Sequence, residues 1–379
     1  MSWRAKLSVR HKLVKTFKAG GFFLGEINRP ILPKIHDIKL TTDSTIATFT
    51  IPNGLDPKLL TKHSYVFNQY FGEHVKLDGE YKRFTVTISH RKLPSKLDYI
   101  LPDLSRYDVP ILCGQDESGR MLAYDAVNEP NCLIAGEPGA GKSTQLRSIL
   151  TTLIQTKTPD ELHIYLGDLK MSEFFLFKGV ENVKSVCVYP EHLARMLAYL
   201  HKEMKRRGEL LNDAGVTHIN KLPKRPPYIL VAIDELLMIM DDKQMSKQIV
   251  QLVALGRALG IYVILSLQRP SHDVLDTKIR GLLTVRMGFR TTDLSNSRII
   301  GTPGSEKISK VTPGRFLCKR DDLTELQAPY LSEESAEKIL TKYKTDEWVD
   351  RFTDKSSNVR SIEQLTEEDV FNDAINEER

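Results

Sequence analysis

Residues Asn131 to Thr144 read NCLIAGEPGAGKST. The run from Cys132 to Ala135 has the composition of a buried strand. The turn after it carries Gly136, Gly139 and Gly141, then Lys142 and Ser143, and runs into a helical stretch from Thr144 to Leu153. Strand, glycine turn and helix in that order give the spacing G-x-x-x-x-G-K-[ST] its chemistry. Glycines let backbone N–H groups close on an anion at a helix N-terminus, the lysine neutralises β- and γ-phosphate charge, and the hydroxyl ligates magnesium. ATP and Mg²⁺ are therefore the expected cofactors. The expected nucleotide contacts are Gly136, Glu137, Pro138, Gly139, Ala140, Gly141, Lys142, Ser143 and Thr144, with Lys142 also serving catalysis.

A phosphate loop of this kind needs a second metal contact and a group that polarises the attacking water. The strand Tyr228 to Ile233 ends in Asp234-Glu235. Asp234 is expected to hold the metal with Ser143, through water, and Glu235 to act on the attacking water. A third apolar strand, Ile261 to Leu267, ends in Gln268-Arg269-Pro270. It places the Gln268 amide where a γ-phosphate is expected, as a sensor of hydrolysis.

These groups must be positioned by a larger frame. With 379 residues, 41% hydrophobic and 27% charged, the chain is long enough for one α/β core and a smaller module. From about residue 108 apolar strands alternate with amphipathic helices, the pattern of a mostly parallel sheet covered on both faces. Before it, 36–52 and 82–90 read as strands and Asp56 to Phe71 as a helix, a small α+β module. A proline-bearing linker, LPSKLDYILPDLSRYDVP, follows. The expected organisation is a basic amphipathic arm at 1–28, the small module at 29–100, the main domain at 101–344 and an acidic tail at 345–379.

Charge is unevenly placed. Residues 1–100 hold 17 Lys/Arg against 8 Asp/Glu, and residues 345–379 hold 11 acids against 4 bases. The four cysteines show no metal-ligand or disulfide spacing, which fits a reducing cytoplasm. No apolar run approaches the roughly 20 residues of a membrane helix, and the N-terminus lacks a secretory pattern.

The run YDVPILCGQDESGRMLAYDAVNEPNCLIAGEPGAGKS resembles the entry to the motor domain of the FtsK/SpoIIIE family of DNA translocases. Further matches follow in order: Asp168-Leu-Lys170, Glu203-Met-Lys-Arg-Arg207, Ala258-Leu-Gly-Ile261, Leu267-Gln-Arg-Pro270, Val285-Arg-Met-Gly-Phe289, Asn296-Ser-Arg298 and Pro313-Gly-Arg-Phe316. The resemblance covers about residues 105–332. It implies a RecA-like P-loop fold and a homo-oligomer, a hexameric ring, that hydrolyses ATP at subunit interfaces while moving duplex DNA independently of sequence. It also implies a trans-acting arginine, for which Arg286 matches best and Arg298 next. The family's G-T-T-G-S-G-K-S is here Gly136-Glu-Pro-Gly-Ala-Gly-Lys-Ser143, and its D-P-K is Asp168-Leu-Lys170.

After residue 344 there is no room for the family's winged-helix module, and membrane spans are lacking. Those absences direct the expectation to compact members carried by plasmids, phages and conjugative elements. Such a motor needs a membrane, relaxosome or transfer-channel partner, reached through residues 1–20 or through 345–379, where Trp348, Phe352 and Phe371 stand among carboxylates. The alternatives are a type VII protein-secretion motor, a chromosome or plasmid segregation pump and a non-catalytic nucleotide switch.

Overall fold

The computed structural model describes residues 3–26, 28–41, 44–72, 75–90, 92–240, 242–268, 270 and 277–352. Residues 1–94 with 115–121 form one compact unit, and 95–114 with 122 onward form a second.

In the first unit α1 (Trp3–Ala19) precedes β1 (Lys34–Leu40), β2 (Ser44–Thr50), α2 (Lys58–Lys62), α3 (Tyr65–Phe71), β3 (Val75–Glu80) and β4 (Arg83–Ser89). The strands make an antiparallel sheet in the order β1-β2-β4-β3. Alternation along β2 and β4 turns Ala47, Phe49, Phe84, Val86 and Ile88 to one face, where they are buried with Leu13, Phe17 and Phe67 from the helices. The expected single helix over 56–71 is broken at His63, which leaves helical geometry at φ −107° and ψ 26°.

The basic segment expected as an arm is α1, and its apolar stripe divides. Leu13 and Phe17 are fully buried in this core, while Trp3 is 73% exposed and Leu7 is exposed as well.

In the second unit β5 (Leu97–Asp98), β6 (Pro110–Gln115) and β7 (Met121–Asp125) lead to β8 (Asn131–Ala135), α4 (Lys142–Thr156), β9 (Leu162–Asp168), β10 (Val183–Cys187), α5 (Pro190–Asp213) and β11 (Tyr228–Asp234). Then come α6 (Leu237–Met240), α7 (Lys243–Leu255), β12 (Ile261–Leu267), α8 (Thr277–Leu282), β13 (Val285–Phe289), α9 (Leu294–Ile300), β14 (Arg315–Lys319), β15 (Leu323–Gln327), β16 (Pro329–Tyr330) and α10 (Glu333–Leu340). Ten strands form one sheet in the order β10-β9-β11-β12-β8-β13-β14-β15-β6-β7. The run from β10 to β13 is parallel, and β14 and β15 continue it antiparallel.

Parallel strands covered on both faces read as continuous apolar runs, and β8, β11 and β12 are buried at every residue. Alternate side chains serve different cores. Cys132, Ile134, Leu230 and Ala232 pack with Leu146, Ile149 and Leu153 of α4. Leu133, Ile229, Val231 and Ile233 pack with Leu197 of α5 and Leu252 of α7. Continuing the alternation, Asp234 falls on the α4 side of the sheet, the side from which Lys142 and Ser143 start.

Several family motifs serve this frame. Asp116 accepts the Ser118 and Arg120 backbone N–H groups and fixes the turn between β6 and β7. Asp125 accepts from the Asp108, Val109 and Val127 N–H groups. Arg207, only 2% exposed, donates to Glu203 Oε1 at 2.7 Å, to Leu259 O at 2.9 Å and to Pro227 O at 2.7 Å, tying α5 to the segments before β12 and β11.

Two aromatics expected in a free acidic tail are used internally. Trp348 Nε1 donates to Val183 O, and Phe352 is buried beside Tyr165 and Tyr199. Between them Asp350 accepts from Ser185 Oγ at 2.6 Å and from the Val186 N–H at 2.9 Å, so 345–352 line the edge strand β10. Phe371 and the rest of the expected tail lie outside the described residues.

Arg207→Ala strands buried carbonyls and is expected to lower unfolding free energy by about 3–5 kcal/mol. Arg206→Ala, at a side chain 41% exposed, should cost no more than about 1 kcal/mol. Urea titration of the two variants checks the difference.

Candidate active site

The tips of β8, β12, β11 and β9 lie side by side at the carboxyl edge of the sheet, the edge where open α/β sheets bind ligands. Beyond β8 the chain turns through Gly136, Gly139 and Gly141 at φ +151°, +75° and +111°, values that L side chains rarely adopt. At Gly136 a Cβ would lie 2.7 Å from Phe289 Cβ, and at Gly141 one would lie 2.7 Å from Gly314 N. The loop is thus pressed against the backbone of two other segments. Ala140 O accepts the Gly314 N–H at 2.8 Å, and the Glu137 N–H donates to Arg290 O at 2.9 Å.

Pro138 and Gly139 are exposed at the crest, Ser143 and Thr144 are half-buried at the first turn of α4, and Lys142 is buried beneath them. Lys142 Nζ donates to Gly136 O at 2.7 Å. Burial lowers the lysine's pKa, and the Asp234 and Glu235 carboxylates oppose that change. Glu137 would repel an incoming triphosphate by itself. Arg290 Nη1, 2.9 Å from Glu137 Oε2, offsets its charge.

Opposite the loop, Asp234 ends β11 and is 6% exposed. Burial raises its pKa first of all, Asp168 and Glu235 push the same way, and Lys142 pulls it down. Glu235 follows at φ +64°, a left-handed conformation that is costly for a non-glycine residue. Such strain persists where surrounding bonds over-determine it. Its Oε2 takes Lys170 Nζ at 2.5 Å, and its Oε1 receives the Gln268 N–H at 3.5 Å. Gln268 therefore reaches the site through its backbone. Arg269 lies outside the described residues.

The structure also brings in residues the sequence reading did not select. Asp168, fully buried and in register with Asp234, accepts the N–H groups of Ser172, Glu173 and Phe174 and shapes the turn after β9. From this turn Glu173 lies beside the Ser143 side chain, with Oε2 3.8 Å from Arg147 Nη2. Burial raises Glu173's pKa, against the Ser143 hydroxyl and Arg147. Arg147 in turn pairs with Glu333 at 2.8 Å. Lys170 was visible as the last residue of Asp-x-Lys at a strand end. Glu173 and Arg147 belong to no local pattern.

The two arginines are placed differently. Arg286 donates to Arg280 O at 2.7 Å and Leu283 O at 3.3 Å and lies tight against Gly301, so it ties α8 and the turn after α9 to β13. Arg298 is exposed on α9.

With this geometry in view, residues 102–225 match the FtsK/SpoIIIE family model. The likeness to that family thus falls on β6 to α5 of the larger unit. The DNA translocase FtsK of Leptospira interrogans is 31% identical over 283 residues, 69% of this chain and 30% of the relative. The chain thus spans about 30% of the length of that relative. Among solved structures, the pCW3 conjugation coupling protein TcpA in monomer form with ATPγS aligns at TM-score 0.59 and 24% identity, over 88% of this chain and 99% of its own. The cytoplasmic domain of the Thermomonospora curvata type VII secretion ATPase EccC aligns at TM-score 0.56 and 25% identity, over 67% of this chain and 33% of that one. The larger unit is thus a P-loop NTPase fold with a mostly parallel sheet. No helix among the described residues is long and apolar enough to cross a membrane.

Gly141→Ala puts a methyl group into the Gly314 backbone at a left-handed φ. The variant is expected to lose at least about tenfold in ATP affinity, the factor for roughly 1.4 kcal/mol. Equilibrium binding of a fluorescent ATP analogue checks it.

Proposed function

We propose that this chain is an ATP-driven DNA translocase acting as a ring of copies, and that it serves conjugative or other mobile-element DNA transfer. The observation that carries this reading is the convergence of Lys142 and Ser143 after β8 with Asp234 and Glu235 at the tip of β11, on either side of β12, in a chain whose residues 102–225 match the FtsK/SpoIIIE model. The relatives named DNA translocases support DNA as the substrate, and the coupling-protein fold supports transfer as the process.

In this reading the amides of Gly139 and Gly141 and the Lys142 ammonium hold the β- and γ-phosphates. Ser143 and Asp234 would hold Mg²⁺, which supplies charge neutralisation at the phosphates when bound. Among the described residues no set of three or more His, Cys, Asp or Glu side chains gathers as a metal cage. One hydroxyl and one carboxylate fit an ion that takes its other ligands from phosphate and water. Glu235 accepts the proton of the attacking water, and Gln268 lies beside it as the sensor. Arg298 is the better placed arginine to act on a neighbouring copy, because it is exposed while Arg286 is engaged with backbone carbonyls. Docking through the exposed start of α1, near Trp3, to a membrane, relaxosome or channel partner belongs to the same proposal.

The EccC likeness favours protein secretion as the second reading. Binding through phosphates is independent of sequence and falls steeply with salt. Duplex DNA at low salt is therefore expected to stimulate ATP turnover, and Glu235→Gln to abolish turnover while ATP is still retained. Turnover indifferent to DNA would move the case to secretion, and turnover persisting in Glu235→Gln would remove the assigned base. For the ring, mixing Arg298→Ala chains with Lys142→Ala chains is expected to restore part of the turnover that each lacks alone. No recovery would end the trans role of Arg298.

A further inference from the structure

Lys170 and Glu235 are 65 residues apart. They meet because β9 and β11 are parallel neighbours with Asp168 opposite Asp234, so the two turns beyond them start side by side. The turn after β9 is held rigidly. Asp168 accepts three of its N–H groups, and Met171 is fixed at φ +54°. Lys170 is thereby held over the tip of β11 with Nζ 2.5 Å from Glu235 Oε2. The carboxylate is 5% exposed and the lysine 31%.

Both oxygens of the proposed base are engaged in this arrangement, Oε2 by an ammonium and Oε1 by the Gln268 N–H. A charge-assisted bond of this length orients a carboxylate and occupies the oxygen that would otherwise face water. A buried ion pair is commonly no better for stability than apolar groups of the same volume. Lys170 also has somewhere to go. Its head is partly solvent-accessible, and the turn carrying it exposes Met171 and Phe175 at 53% and 54%.

We propose that Lys170 is a positioning residue that restrains Glu235, so that hydrolysis proceeds only when the Lys170–Glu235 bond opens. The inference rests on Glu235 being the base. The restraint lies on the turn, not on the phosphate loop, so its removal changes turnover and leaves nucleotide affinity alone.

The test uses the full chain, with ATP turnover measured with and without duplex DNA, beside ATP retention and melting temperature. Lys170→Met is expected to raise DNA-free turnover by about three- to tenfold, with KM for ATP changed by less than about twofold. The ratio of DNA-stimulated to DNA-free turnover should fall, and Lys170→Arg, which keeps the bond, should behave as the parent. Turnover that drops in Lys170→Met and returns in Lys170→Arg would overturn the restraint by showing that the lysine assists the reaction. Unchanged turnover would overturn it equally. If Lys170→Met does not fold, Lys170→Gln keeps a donor without the charge and is read by the same criteria. Glu235→Gln run alongside separates the two ideas, because turnover surviving in that variant defeats the assignment of the base rather than the restraint.

Discussion

Backbone meeting backbone without room for a side chain is what the site depends on. Gly136 lies against Phe289 and Arg290, and Gly141 against Gly314. Those contacts, with the Ala140–Gly314 and Glu137–Arg290 hydrogen bonds, fix the loop from outside as well as from its own strand and helix. The late Pro313-Gly-Arg-Phe316 turn is therefore part of the phosphate site, although it contributes no reactive group. Phe289 and Phe316 stack at 4.8 Å beneath it and hold β13 and β14 at the required distance.

The same edge gathers more charge than a phosphate loop needs. Asp168, Asp234, Glu235 and Glu173 gather with Lys142, Lys170 and Arg147, and burial works against the charged forms of Lys142, Glu173 and Asp234. The acids are kept apart in function by their partners. Asp168 is consumed by backbone N–H groups, Glu173 by Ser143, and Glu235 by Lys170. Asp234 has Ser266 and the Lys142 charge to set against its burial.

Much of this could be read in the sequence, because the signals were local. Strand, glycine turn and helix at 131–153 and the acid pair after Tyr228–Ile233 are contiguous patterns set by periodicity and by the chemistry of phosphate, and they coincide with β8, α4 and β11. What escaped were pairs whose members meet only through sheet order, such as Lys170 with Glu235, Arg290 with Glu137 and Glu173 with Ser143. Motif matching also does not say whether a residue reacts or supports. Arg207 and Asp125 match the family as well as Lys142 does, yet they bind backbone groups far from the phosphates. At the ends, an apolar stripe beside charge describes a docking segment and a packed one equally. Phe17 and Phe352 are packed.

The segment 345–352 along β10 carries a consequence for how copies of this chain can associate. A naked outer strand offers its N–H and C=O row as a template for another chain. Here Asp350, Trp348 and the Arg351 N–H occupy groups of Val186, Val183 and Lys184 on that row. A strand added at this flank would find those three groups already bonded, which leaves self-association there to side chains.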